Sequence, residues 1–153
     1  LNFSLLHCIS IYPTTIEVAN LNRINYLKNF TNNVGISDHS NPEIYKYKII
    51  AGSLFLGAEI VEKHFTILPK DKTKDGVVSA NPTQLKEISK LCKLSKADIS
   101  NYIKENVPEM EEMKGNFIRE LSEEELLNRD YYQGRFASKV SGKTIFNWDE
   151  TEI

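Results

Sequence analysis

The sequence has few cysteines, no long apolar segment and almost no net charge, and each shortage excludes a class of protein. Its two cysteines, Cys8 and Cys92, lie far apart, which excludes a disulfide scaffold or a cysteine-type zinc site and fits a reducing, cytoplasmic compartment. The longest apolar run, Ile49 to Ala58, is about half of what a membrane-spanning helix needs. The net charge of −2 gives no overall attraction to nucleic acid or to an anionic membrane, so neither is expected as a partner.

Several enzyme motifs are missing as well. The sequence holds no Gly-rich phosphate loop and no Gly-x-Ser-x-Gly nucleophile elbow. Apolar residues make up 41% and charged residues 26%, as in ordinary globular domains. The chain begins with Leu1 and enters an apolar run from Phe3 to Ile11 at once. We therefore expect it to be the C-terminal part of a longer protein.

Short apolar runs alternate with amphipathic segments through the first 95 residues. The pattern predicts strands over 3–9, 34–37 and 59–66 and helices over 15–30, 42–57 and 81–94. The first strand is expected to be buried on both faces, with Cys8 as a packed residue. Strands that alternate with helices favour an α/β fold with parallel βα units. Three such units are either the last part of a (β/α)8 TIM barrel or half of a doubly wound sheet.

The remaining residues carry many charges and a different pattern. Two helical segments are predicted over 96–105 and 122–130, followed by a hairpin of strands over 135–140 and 143–148. The chain is therefore divided into a partial (β/α)8 barrel, residues 1–95, and a small helical and hairpin extension, residues 96–153.

Two histidines stand near the ends of neighbouring predicted strands. His39 follows the second strand and His64 lies near the end of the third. If these strands pair about 4.8 Å apart, both imidazoles can converge on one point above the sheet. They would then hold a divalent metal such as Mn²⁺, Fe²⁺ or Zn²⁺. The alternative is two hydrogen-bonded polar residues with no metal.

Other polar residues follow the same strands. Glu62 shares a strand face with His64 and is a partner of the metal ligands, a general acid or base, or a solvated carboxylate. Ser10, Tyr12 and Thr14 follow the first strand at alternate positions on one side and suit phosphate or sugar oxygens. The alternative, which the sequence alone favours, is ordinary turn chemistry around Pro13. The polar loop 70–76 is either a lid over a polar ligand or a solvated surface loop.

Three segments together resemble the sialic acid synthase family. They are LLHCISIYPT at 5–14, VGISDH at 34–39 and GAEIVEKHFT at 57–66, and they occur in that family's order and spacing. The KDGVVS loop at 74–79 is also similar. The resemblance covers residues 1–95 and implies a (β/α)8 barrel whose strands six to eight are present here.

The resemblance also implies a reaction. Phosphoenolpyruvate condenses with the open-chain aldehyde of N-acetylmannosamine or a related N-acetylated amino sugar, which gives a nine-carbon 2-keto acid and phosphate. The enzyme would use Mn²⁺, or else Mg²⁺, and would be a homodimer when full length. The resemblance assigns the metal to His39 and His64, phosphoenolpyruvate to Ser10 and Ser37, the sugar hydroxyls to Tyr12 and Asp75, and catalysis to Glu62 with Tyr12.

The first five strands of such a barrel are not in this sequence, so we expect the segment to be inactive alone. Two alternatives stay open. One is another phosphoenolpyruvate-dependent synthase that makes a shorter keto-sugar acid. The other is a non-catalytic remnant, or a partner-binding module that acts through residues 96–153.

Overall fold

The chain forms two compact units. The computed structural model describes residues 3–132, 137–140 and 143–146. The first unit is Leu1–Arg119 and the second is Glu120–Ile153. This division falls later than the predicted boundary near residue 95, and the assignment of the two predicted parts to barrel and extension stays a prediction.

The first unit is built on a parallel sheet of three strands. They are β1 (Leu5–Cys8), β2 (Val34–Asp38) and β3 (Ile60–Lys63), in that spatial order. Helix α1 (Arg23–Leu27) follows β1, and α2 (Lys48–Phe55) follows β2. After β3 come a 3₁₀ turn (Lys70–Lys72) and helices α3 (Pro82–Leu91), α4 (Lys96–Asn106) and α5 (Met110–Lys114). The predicted α/β fold with parallel βα units is therefore confirmed.

The first two helices are shorter than predicted because the backbone before each of them leaves the helical region. Asn20 has φ 46° and Lys46 has φ 52°, both left-handed conformations that interrupt a helix. Before α1, the N–H groups of Leu21 and Asn22 donate to carbonyl groups at the end of α5, at 2.8 Å each, instead of to a preceding turn. Gly57, with φ 86°, follows α2 and ends it as predicted.

Helix α3 begins where its sequence signal places it. The Asn81 side chain accepts the Gln84 N–H, and the Gln84 side chain accepts the Asn81 N–H, at 2.9 Å each. This capping box satisfies backbone donors that have no partner within the helix. Pro82 occupies the first turn, where a missing N–H costs nothing.

The prediction that β1 is buried on both faces is wrong. Along this strand His7 is buried while Leu6 and Cys8 are exposed. The helices pack on one face of the sheet only, so the alternate residues of β1 face away from them. Cys8 is therefore not a packed core residue in this chain.

One hydrophobic core joins the sheet to all five helices of the first unit. Helix α4 packs against α2, and Ile99 and Ile103 of α4 are buried with Val34 and Ile36 of β2. Met113 of α5 is completely buried in the same core. Helices α4 and α5 therefore belong to the same compact unit as the βα units.

The second unit holds helix α6 (Glu123–Tyr132) and an antiparallel pair, β4 (Ala137–Val140) and β5 (Lys143–Phe146). The helix and the hairpin agree with the predicted elements. The outer ends of the predicted hairpin, 135–136 and 147–148, and its turn at 141–142 lie outside the described residues. Within the part of the chain that is described, no helix is both long enough and apolar enough to cross a bilayer.

Candidate functional site

The structure brings His39 and His64 together at the carboxyl edge of the sheet. Asp38 and Lys63 are paired in the register of β2 and β3, and each histidine follows directly after one of them. The two imidazole centroids lie 5.2 Å apart with their planes at 79°. Parallel strands end at the same edge, which is why residues 25 positions apart in sequence meet here.

Tyr12 completes a cluster of three rings with these histidines. Its ring stacks on His39 with centroids 4.1 Å apart and meets His64 edge-on at 5.7 Å. The Tyr12 hydroxyl lies 3.0 Å from Nε2 of His39. The segment that carries Tyr12 is held by the Thr14 N–H, which donates to the His39 carbonyl at 2.9 Å.

The hydrogen bonds of His39 define its tautomer. Nδ1 lies 3.0 Å from the Ile9 carbonyl, which can only accept, so Nδ1 carries the proton and donates. Nε2 then keeps its lone pair and accepts the Tyr12 hydroxyl. Burial lowers the pKa of His39, although the bond to Ile9 opposes this effect. His39 is thus held as a neutral imidazole, the form that binds metals.

The lowered pKa of His39 predicts a loss of stability on acidification. At pH values below the ordinary histidine pKa of 6.5, His39 is protonated in the unfolded chain but stays neutral in the folded chain. The unfolded state then binds more protons, so stability falls as the pH drops from about 6.5 toward the lowered folded pKa. We expect His39→Gln to flatten this slope when thermal midpoints of chelator-treated protein are compared at about pH 7 and about pH 5. The control is His64→Gln, and equal slopes in wild type and His39→Gln would contradict the prediction.

Ser37, Glu62 and Ser10 lie beside the ring cluster. Ser37 and Glu62 are register partners, and the Ser37 hydroxyl donates to the Glu62 carboxylate. Ser37 Oγ is also 3.4 Å from Nε2 of His39. Cys8, which pairs with Ser37 in register, places its Sγ 3.9 Å from Ser10 Oγ and 3.8 Å from Nδ1 of His39. Ser37 and Glu62 therefore adjoin the ring cluster, and Ser10 is linked to His39 through Cys8.

Asp75 reaches the cluster from the loop after β3. One of its carboxylate oxygens lies 3.8 Å from Nδ1 of His64. The loop is fixed at both ends, because the Ala80 N–H donates to the His64 carbonyl at 2.7 Å and the hydroxyls of Thr66 and Thr73 lie 3.0 Å apart. The Ser79 hydroxyl donates to the Asp75 carbonyl at 2.8 Å. Internal bonds thus hold Asp75 next to His64.

Gly76 allows this loop to fold tightly, and we expect its replacement to lower the stability of the protein. A Cβ at position 76 would collide with the backbone carbonyl of Lys70. We expect Gly76→Ala to lower the free energy of unfolding by about 1–3 kcal/mol in denaturant titrations, since the backbone must shift to make room. The matched control is Lys74→Ala, an exposed residue of the same loop. Equal stability of the two variants would show that the loop is not tightly constrained.

A buried ion pair between Asp38 and Lys63 lies at this edge of the sheet, and it was not predicted from the sequence. Lys63 Nζ lies 2.8 Å from Asp38 Oδ2, and the two side chains are only 3% and 2% exposed. Burial lowers the pKa of Lys63, while Asp38 opposes the shift. The sequence does place opposite charges, Asp38 and Lys63, directly before the two histidines. The strand register that brings these two charges together cannot be read from one sequence.

The donor set of the ring cluster fits a divalent metal. Two imidazoles, one of them with a defined Nε2 lone pair, suit Mn²⁺, Fe²⁺ or Zn²⁺. The described residues contain no group of three or more His, Cys, Asp or Glu side chains that could hold a metal, so other ligands would be water or substrate oxygens. A metal on Nε2 of His39 would displace the Tyr12 hydroxyl, and Tyr12 is 49% exposed and has room to turn.

Comparison with known proteins finds relatives over most of this chain. An uncharacterized protein of Methanocaldococcus jannaschii is 44% identical over 85 residues, 55% of this chain and 24% of that protein. A pseudaminic acid synthase of Campylobacter jejuni is 31% identical over 135 residues, 88% of this chain and 34% of the synthase. The crystal structure of a spore coat polysaccharide biosynthesis protein of Bacillus subtilis matches 84% of this chain and 35% of its own, with 26% identity and a TM-score of 0.65.

The chain spans only about a quarter to a third of the length of each of these relatives. The family model that matches it, described as the NeuB family, covers residues 1–104 and so includes all three strands, the ring cluster and Asp75. The chain therefore belongs to the NeuB family.

Proposed function

We propose that this chain supplies part of the active site of a phosphoenolpyruvate-dependent synthase of keto-sugar acids. Phosphoenolpyruvate would condense with N-acetylmannosamine or a related N-acetylated amino sugar and release phosphate. The observation that carries the proposal is the convergence of His39 and His64 at the carboxyl ends of adjacent parallel strands, with centroids 5.2 Å apart. Family membership and the pseudaminic acid synthase among the relatives support the same reaction class.

The three βα units are proposed to be the last three of a (β/α)8 barrel. Two observations support this. The sheet face opposite the helices carries exposed side chains, among them Leu6 at 37%, which further strands would cover. The polar cluster also lies at the carboxyl ends of the strands, where barrels of this type place their chemistry. The other strands would come from residues outside this sequence, so these 153 residues alone are expected to show no turnover.

In this proposal His39 and His64 hold the metal. Imidazole donors favour Mn²⁺ over Mg²⁺, which prefers oxygen ligands. When bound, the metal supplies a Lewis acid for the aldehyde oxygen of the sugar. The Nδ1–H bond of His39 to Ile9 keeps Nε2 directed toward the cluster.

The other side chains bind substrates and move a proton. Ser10 and Ser37 would contact phosphoenolpyruvate. Tyr12 and Asp75 would bind hydroxyls of the sugar on the His64 side of the cluster. Glu62, already an acceptor for Ser37, would take the proton of the water that adds to C2 of phosphoenolpyruvate as C3 bonds to the aldehyde carbon, and phosphate would leave from C2 afterwards.

A substrate panel tests the proposal. The complete natural protein that contains these residues is assayed for phosphate release from phosphoenolpyruvate with N-acetylated hexosamines, with Mn²⁺ or with a chelator. Release that needs both the amino sugar and the metal is expected. Turnover with phosphorylated aldoses only would favour the synthase of a shorter keto-sugar acid. No turnover and no Mn²⁺ binding in calorimetry would favour the non-catalytic remnant.

A further inference from the structure

We propose that the buried Asp38–Lys63 ion pair is a positioning device that holds His39 and His64 in their relative places. The inference rests on the proposed function, because it explains how the chain keeps the two imidazoles converged. Neither side chain of the pair belongs to the face that carries the ring cluster, so the pair would act through the backbone of its neighbours.

Lys63 binds the residues on both sides of His39. Its Nζ donates to Asp38 Oδ2 at 2.8 Å and to the Ser40 carbonyl at 2.6 Å. Asp38 in turn accepts the Ser40 N–H on Oδ1 and the Ser40 hydroxyl on Oδ2, both at 3.0 Å. The residue directly before His64 is therefore bonded to the residues directly before and after His39.

The alternation of strand side chains separates this network from the substrate side. Ser37 and Glu62 contact each other on one face of the sheet. Asp38 and Lys63 are their neighbours in sequence and point to the opposite face, where both are almost completely buried. The network is thus unable to touch a substrate bound at the ring cluster.

The pair also lies where the sheet ladder ends. The register of β2 and β3 finishes at the Asp38–Lys63 pair, and the two histidines follow it. Beyond that point each histidine backbone is bonded to a different segment, His39 to Thr14 and His64 to Ala80. The ion pair is the last cross-strand link between β2 and β3 before the cluster. Its hydrogen bonds fix direction as well as distance, which apolar packing would not do.

Three variants of the complete protein test the inference. Lys63→Met removes the link and leaves Asp38 buried without its cation. Asp38→Asn with Lys63→Met removes both charges, so that no unpaired buried charge remains and the fold is kept. The matched control is Lys48→Met with Glu109→Gln, an ion pair whose side chains are 27% and 32% exposed and which joins α2 to the residue before α5.

The first measurement reports position without needing a metal or a substrate. The Tyr12 ring, stacked 4.1 Å from His39, should shift the ring-proton NMR signals of His39 upfield by its ring current. Spectra are recorded at about pH 8, where the imidazole is neutral, and His39→Gln identifies the signal. The second measurement is Mn²⁺ affinity by calorimetry.

In the charge-free double variant we expect the His39 signals to move toward their unstacked positions and Mn²⁺ affinity to fall by about 10–100-fold. The control variant should leave both unchanged. If the double variant keeps the wild-type His39 signals and Mn²⁺ affinity, the pair only stabilises the fold and the inference is overturned. If the wild type binds no Mn²⁺ while its His39 signals still depend on the pair, the positioning role stands and the proposed function fails.

Discussion

His64→Ala is expected to abolish Mn²⁺ binding and to lower the turnover of the complete protein by on the order of a thousandfold. The substitution removes one of the two imidazoles that would hold the metal, and without the metal no cation remains to stabilise the sugar oxyanion. The His64 side chain is 28% exposed, so its removal should disturb the fold little. Calorimetric titration with Mn²⁺ and kcat at saturating substrates measure the two effects, and the thermal midpoint verifies the fold.

The control for this variant is His7→Gln. His7 is buried on the helix side of β1 and its Nε2 lies 2.7 Å from the Ala19 carbonyl. Its replacement should lower stability and leave Mn²⁺ affinity unchanged. Turnover within a few-fold of wild type in His64→Ala would show that the two imidazoles are structural polar residues, and the proposed metal role would be wrong.

Lys63→Met is expected to lower the free energy of unfolding by about 3–5 kcal/mol. The change removes the cation from a pair whose members are 3% and 2% exposed, and it leaves the Asp38 carboxylate buried. Adding Asp38→Asn should recover most of the loss, because the uncompensated charge then disappears. Urea titrations of wild type, the single variant and the double variant measure both steps.

The partly exposed pair of Lys48 and Glu109 provides the comparison. Its nitrogen and oxygen lie 2.6 Å apart, closer than in the buried pair, yet Lys48→Met should cost no more than about 1 kcal/mol because both side chains are partly exposed. Similar losses for Lys48→Met and Lys63→Met would mean that water reaches the Asp38 side chain, contrary to its exposed fraction of 2%.

Local signals predicted the elements whose partners are close in sequence. The Asn81 capping box, the end of α2 at Gly57 and the three strand positions depend on neighbouring residues, and each is confirmed. The predicted length of α1 was wrong because Leu21 and Asn22, which precede it, bond to the end of α5, far along the chain. No pattern in the sequence around Asn20 indicates that this segment bonds to the end of α5.

In the candidate site, too, the features that depend on the pairing of distant residues were not predicted. The meeting of His39 and His64 needed only the assumption that their strands are adjacent, and the structure brings the two rings together. The stacking of Tyr12 on His39 and the pairing of Asp38 with Lys63 depend on register and on the turn after β1, which a single sequence does not determine. The roles of the residues in catalysis stay predictions until the variants are measured.

The bonds between the loop before α1 and the end of α5 determine where the chain can be shortened. A version that stops with the family similarity at residue 104 would lose the carbonyls of Met113 and Lys114. The N–H of Leu21 would then lose its acceptor, and the buried Met110 and Met113 would no longer cover the core around it. Engineers who trim this protein for crystallisation should cut after Arg119, where the first compact unit ends, even though sequence similarity alone suggests an earlier stop.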